Sequence, residues 1–373
     1  MKISTFELER SQSLWENKVK FNLTESGLHP YSLADVLSED ELYEINHTSL
    51  GYGYTDGHPD LKAQIALLYP NSNPDNVLIT NGSAEANFIA MWTLLEPGDE
   101  IVYMVPNYMQ IHGIAESLGV KVVTWELKES LDWMPDVEEL KSLVSNKTKL
   151  IVLCNPNNPT GAVLHPAIMQ QIVNIAAEND CYIHSDEIYR GSELKGEEGA
   201  SFSEYYEKSI IVSGLSKALG FPGLRIGWIL AADEIIENCW SRHDYTSICC
   251  STISQYAAIR ILAPGVREKL LTRGRLHLQK NLAIVEKWID SFQGRLHLVP
   301  PQAGGMAYVG YDADISSQNL VDQLRDQHDV FLVAGSWFGM EGFLRIGIGV
   351  ESDTLEKGLA AIEPTLKSVL SLE

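Results

Sequence analysis

Basic residues are scarce in this chain: 28 Lys and Arg face 50 Asp and Glu, a formal net charge of -22 at pH 7. That balance argues against a nucleic-acid or anionic-membrane partner, since either needs a basic face. Long apolar runs are missing too. No window approaches the length of a membrane span, and the opening Met1-Lys-Ile-Ser-Thr-Phe6 lacks the continuous apolar core of a signal peptide. Five cysteines occur, Cys154, Cys181, Cys239, Cys249 and Cys250, an odd count with no metal-ligand spacing. Without a secretory signal they fit a reducing compartment. Repeats and low-complexity tracts are also absent. A soluble, cytoplasmic protein without a metal centre is expected.

The 373 residues, 45% hydrophobic and 21% charged, describe a globular chain long enough for a large domain and a smaller one. Strand and helix signals alternate through the middle of the chain, which predicts an α/β fold with a mostly parallel sheet covered by helices. The expected organisation is an N-terminal arm (1–44) packing with the small domain, a large cofactor-binding domain (45–265), then a linking helix and small C-terminal domain (266–373). Ala263-Pro264-Gly265 marks the break, and the charged helix from Arg267 to Gln293 links the parts.

The most informative stretch is Ser213-Gly-Leu-Ser-Lys217-Ala-Leu-Gly-Phe-Pro-Gly-Leu-Arg225-Ile-Gly-Trp228. Lysine forms a Schiff base with an aldehyde when its amine is partly deprotonated, as burial and nearby positive charge promote. Arginine supplies a bidentate partner for a phosphate. Pyridoxal phosphate carries both groups, and its ring nitrogen needs a carboxylate partner to act as an electron sink. Asp186 ends the apolar run Cys181-Tyr-Ile-His-Ser-Asp186, as a buried parallel strand does where it delivers a site. Asn158, in a loop after a second such run (Leu150 to Cys154), and Tyr189, three residues past Asp186, are candidate donors to a phenolate oxygen. Val77-Leu-Ile-Thr-Asn81-Gly-Ser83-Ala84-Glu85 reads as strand, turn and helix start, where Ser83, Ala84 and Glu85 would line a phosphate cup. Tyr108, after the strand-like Glu100 to Val105, offers a ring to stack on a flat cofactor.

Together these segments resemble, in order and spacing over nearly the whole chain, the class I/II aminotransferases of the aspartate aminotransferase superfamily, fold type I of the pyridoxal phosphate enzymes. The resemblance implies a three-layer α/β/α fold with a smaller α/β C-terminal domain, and a homodimer with shared active sites. It makes Lys217 the Schiff-base lysine, Asp186 the pyridine partner, Asn158 and Tyr189 the phenolate donors, Tyr108 the stacking ring and Arg225 a phosphate ligand. Tyr52, in Gly51-Tyr52-Gly-Tyr54, matches the tyrosine that reaches the neighbouring subunit's phosphate. Arg345, in Gly342-Phe-Leu-Arg345-Ile-Gly, matches the arginine that clamps the substrate's α-carboxylate, a role suited to a planar fork of donors. One departure stands out. Where the family usually has Ser or Thr three residues before the lysine, this chain has Gly214, and Ser213 or Ser216 is left to compensate.

A narrower resemblance, to capreomycidine synthase-like enzymes and pyridoxal phosphate-dependent arginine oxidases, rests on Phe21 to His29, on Gly214 and on Arg242-His-Asp244-Tyr245. Those enzymes act on arginine or its derivatives. Glu25 or Asp244 suits a guanidinium, whereas Arg242 suits a dicarboxylate, and the sequence does not choose. His29 is expected either to relay protons over the cofactor or to be structural. The leading expectation is an aminotransferase acting on an amino acid and a keto acid, with Lys217 moving the α-proton. The alternative is an oxidase, hydroxylase or cyclase of an arginine-like substrate. A non-catalytic cofactor-binding regulator is third, disfavoured by an N-terminal arm too short for a DNA-binding domain.

Overall fold

The computed structural model describes residues 2–372. The chain opens with helix Glu7–Trp15 and a two-residue strand, β1 (Phe21–Asn22). Seven strands then form the large sheet: β2 (Val77–Thr80), β3 (Glu100–Val105), β4 (Lys121–Glu126), β5 (Thr148–Cys154), β6 (Tyr182–Asp186), β7 (Ser209–Gly214) and β8 (Gly227–Leu230). In space they run β2-β8-β7-β6-β5-β3-β4, all parallel except β8, which is antiparallel to both neighbours.

Both faces of this sheet are covered because successive side chains point to opposite sides and those of its central strands are mostly apolar. Ile151, Leu153, Ile183 and Ile211 join one core. Their neighbours Leu150, Val152, Ile210 and Val212 join a second, with Ala86, Ile89 and Ala90 of helix Ser83–Leu94. The result is the expected three-layer α/β/α arrangement.

Beyond the large sheet comes a 25-residue helix, Val266–Asp290, whose buried Leu270, Leu271, Gly274, Leu278, Asn281, Val285 and Ile289 recur at helical spacing. Five short strands follow: β9 (Leu296–Leu298), β10 (Met306–Tyr311), β11 (Val330–Phe331), β12 (Val333–Ala334) and β13 (Phe343–Gly347). Four of them make an antiparallel sheet ordered β12-β13-β10-β9, while β11 pairs in parallel with β1, so the N-terminal segment is built into this smaller layer. Among the described residues no helix is long and apolar enough to cross a membrane.

Because β3, β5, β6 and β7 are parallel, their carboxyl ends share one edge of the large sheet, where open α/β sheets place ligands. Strand β8 meets that edge at Gly227, where a Cβ would collide with Ser83 N and the Gly82 carbonyl carbon. Backbone therefore lies against backbone at the start of helix Ser83–Leu94. Gly227→Ala should force the two apart and destabilise the protein by about 1–3 kcal/mol. Thermal denaturation checks this, and an unchanged midpoint would refute the close approach.

Candidate active site

A cleft of about 450 Å³ opens at that edge, walled on its other side by the smaller sheet and helix Glu7–Trp15. Lys217 and Ser216 enter it from the loop after β7, Asp186 from the end of β6, and Asn158 from the loop after β5. Ser83 and Ala84 arrive at the start of a helix whose first amides have no side-chain cap. Tyr108, Tyr189, Arg225, Arg345 and Glu25 complete the predicted residues that line it.

Lys217 Nζ donates to Glu25 Oε1 at 2.6 Å. The same carboxylate oxygen accepts the backbone N–H groups of Ser26 and Gly27, both at 2.8 Å. Burial opposes the Lys217 ammonium, but the adjacent Glu25 carboxylate outweighs it and the amine is raised above its ordinary value. This reverses the expectation of a partly deprotonated lysine. Burial likewise opposes Glu25, and Lys217 outweighs that too, holding the carboxylate below its usual range.

Asp186 is half-buried, and desolvation pushes it up to about 6 against hydrogen bonds from Asn87 Nδ2 (3.3 Å) and the Ile188 amide (3.1 Å) and against the Lys217 charge. Arg345 is 2% exposed, donates from Nη1 to Asn158 Oδ1 at 2.8 Å and from Nη2 to the Thr24 carbonyl, and leaves Nε without a partner. Burial pushes the Tyr189 phenol up to about 12, and its oxygen shares a 2.7 Å hydrogen bond with Ser26 Oγ. Tyr108 donates its hydroxyl hydrogen to Glu9 at 2.6 Å while the Phe6 ring packs against it edge-on.

Five predicted residues lie elsewhere. Ser213, still within β7, lines a separate hollow with Tyr69, Arg190 and Trp228, and its hydroxyl donates to the Glu187 carbonyl at 3.1 Å. Ser216 alone of the two serines lines the cleft. Gly214 is explained by space: a Cβ there would come within 2.7 Å of the Ile226 carbonyl oxygen. The Glu85 side chain turns away from the cup to accept from the amides of Asn81 (2.5 Å) and Ser247 (3.2 Å). His29 does not hang over the cleft. Its amide donates to the Gly349 carbonyl and its ring lies 3.8 Å from Glu351 at a separate hollow with Arg273. Tyr52 is 87% exposed beside Cys249 and Cys250, and Asp244 is exposed at the end of helix Asp233–His243.

The sequence reading missed the helix Glu7–Trp15. Glu9 and Gln12 line the cleft from it and Glu16 from the residue that ends it, at a spacing visible once a helix is assumed. Asn87 was missed as well, although it lies on the same helix as Glu85, one turn from the cup.

Comparison with known proteins bears directly on this geometry. The family model described as aminotransferase class I and II matches residues 21–362. The chain belongs to that family, whose members depend on pyridoxal 5'-phosphate. Among its relatives is the capreomycidine synthase of Streptomyces vinaceus, 27% identical over 355 residues, 94% of this chain and 90% of that protein. The (5-formylfuran-3-yl)methyl phosphate transaminase of Methanocaldococcus jannaschii is 30% identical and covers 84% of this chain and 83% of its own. A solved structure of a PLP-dependent aminotransferase from Streptococcus suis 89-1591 superposes with a TM-score of 0.93 at 33% identity, covering 99% of both chains.

Asp186 carries a stability consequence with a definite sign. Its pKa is raised in the folded state, so its favourable contribution is complete below the unfolded value and lost as pH rises through about 6. In the cofactor-free protein Asp186→Asn should therefore raise stability at pH 8 by up to about 3 kcal/mol, and by little at pH 4. Denaturant unfolding at the two pH values measures the difference, and a variant destabilised at pH 8 would contradict it.

Proposed function

We propose that this protein is an aminotransferase of an L-amino acid, with Lys217 as the residue that carries pyridoxal phosphate. The observation that carries the proposal is the convergence on one cleft of the Lys217 amine, the half-buried Asp186 carboxylate and the uncapped helix start at Ser83. Those groups match the cofactor's aldehyde, ring nitrogen and phosphate in charge and hydrogen-bonding type. Asp186, a half-buried carboxylate hydrogen-bonded by Asn87 and the Ile188 amide, is suited to a protonated ring nitrogen. Arg225 and the amides of Ser83 and Ala84 would hold the phosphate, Asn158 and Tyr189 the phenolate oxygen, and Tyr108 the ring face. When bound, the cofactor draws electrons from the substrate's α-carbon.

Arg345 would take the substrate's α-carboxylate. Its guanidinium is fixed by Asn158 and Thr24, and its free Nε is a buried donor awaiting an acceptor. Lys217 Nζ would move the α-proton, and Ser26 shares a hydrogen bond with the Tyr189 hydroxyl. The exposed Tyr52 and Asp244 are read as offered to a second subunit of a homodimer. The five free thiols suit a cytoplasmic location.

A second reading, an arginine-processing oxidase or cyclase, is favoured by one specific observation. Glu9, Glu16 and Glu25 all line the cleft, and Glu16 is raised by burial first and then by repulsion from Glu25 and Glu9. Such a surplus of carboxylates suits a cationic side chain.

Borohydride reduction of the cofactor-loaded protein should fix a pyridoxyl group on Lys217, located by peptide mass spectrometry, and attachment to another lysine would overturn the assignment. Assay of the loaded enzyme with glutamate, aspartate, arginine and an aromatic amino acid then separates the readings. Transamination yields a 2-oxo acid that requires a 2-oxo acid acceptor and consumes no oxygen. Oxygen uptake with arginine alone, or multiple turnovers without acceptor or oxygen of an arginine derivative that carries a β-leaving group, selects the second reading. Cofactor capture needs the neutral amine, so its rate should climb with pH, and Glu25→Gln should shift that climb to lower pH. An unmoved profile would mean that Glu25 does not control Lys217.

A further inference from the structure

The Glu85 carboxylate poses a problem at the start of helix Ser83–Leu94. It is the third residue of a helix whose first amides line the cleft, so its charge opposes any anion bound there. Its side chain is nonetheless well ordered by contacts: Oε2 accepts from the Asn81 amide and from Ser247 Oγ (3.0 Å), and Oε1 from the Ser247 amide. His243, wholly buried at the end of helix Asp233–His243, places Nε2 3.4 Å from the same Oε2.

Counting hydrogens fixes the roles. His243 Nδ1 lies 3.1 Å from the Thr55 carbonyl oxygen, which only accepts, so Nδ1 donates. Ser247 has one hydroxyl hydrogen and directs it to Glu85, so the 2.9 Å contact between Ser247 Oγ and His243 Nε2 needs the ring to donate there as well. With both nitrogens as donors the ring is cationic and balances Glu85. The arrangement ties three separate segments together: the Asn81–Ser83 turn, the loop at Ser247, and Thr55, three residues beyond Tyr52.

We propose that His243 is a positioning residue for the cofactor's phosphate, neutralising Glu85 and through it holding the Asn81–Ser83 turn in an anion-accepting shape. The role rests on the proposed pyridoxal phosphate site. It predicts an effect confined to the phosphate end of the ligand, which general loss of structure would not produce.

The test titrates the cofactor-free protein with pyridoxal phosphate and, separately, with pyridoxal, following binding by intrinsic fluorescence. His243→Gln should weaken pyridoxal phosphate binding about tenfold and leave pyridoxal within about twofold. Adding Glu85→Gln to that variant should recover most of the loss, because the uncompensated charge is gone. Ser247→Ala, a gentler change, should shift pyridoxal phosphate affinity in the same direction by about threefold and decides the matter if His243→Gln does not fold. Equal weakening of both ligands, an unaltered pyridoxal phosphate affinity, or no recovery in the double variant would each overturn the positioning role. Failure of the unaltered protein to bind pyridoxal phosphate would instead remove the cofactor site on which the role rests.

Discussion

The structure depends on one extended seam, Leu23 to His29, threaded between the two sheets. On one side the Leu28 amide donates to the Lys217 carbonyl at 3.2 Å, and a Cβ on Gly27 would stand 2.9 Å from Lys217 Cα. On the other, Leu23 accepts from the Gly347 amide (2.7 Å), Ser26 from the Gly305 amide (2.9 Å), and His29 donates to Gly349 (2.8 Å). A single stretch of backbone thus satisfies polar groups belonging to both layers. Arg345 lies on the smaller sheet and Asn158 in the loop after β5 of the larger, and they share a 2.8 Å hydrogen bond beside the seam, whose Thr24 carbonyl also accepts from Arg345.

Charge within the cleft follows from the same construction. The seam carries Glu25 to Lys217, and helix Glu7–Trp15, tied to the seam by the hydrogen bond of Gln12 to Thr24, brings Glu9 and Glu16. Three carboxylates therefore face Lys217 and Arg345 across a short distance, with a further one, Asp186, half-buried at the sheet edge. Lys217 and Glu25 satisfy each other while no ligand is held. Engagement of the Lys217 amine by the proposed cofactor would remove that partner and leave the Glu25 carboxylate open to a cationic group.

The α/β class with a mostly parallel sheet, several strand ends and the family were legible in the residues. Apolar runs ending in Asp186, Asn158 and Tyr108, and the strand-turn-helix at Asn81 to Glu85, are local patterns set by β propensity, turn chemistry and helix starts within about ten residues. Lys217, Asp186 and Arg345 were singled out from such segments, and all three line one cleft. Less legible was anything that depends on which side of an element faces the cleft. Ser213 and Ser216 differ by three positions in sequence, yet the first lines a separate hollow and only the second lines the cleft.

By itself, then, the sequence determined the elements, their order and the chemical types at the sheet edge, because these arise from neighbouring residues. Only the tertiary structure decided that Glu25 would neutralise Lys217 from 192 positions away, that Glu85 would turn from the cup towards His243, and that the N-terminal helix would close the cleft with acid. Each of those outcomes is a contact between distant segments. Such contacts are set by how layers pack and by where buried charge finds a partner, and no local pattern encodes them.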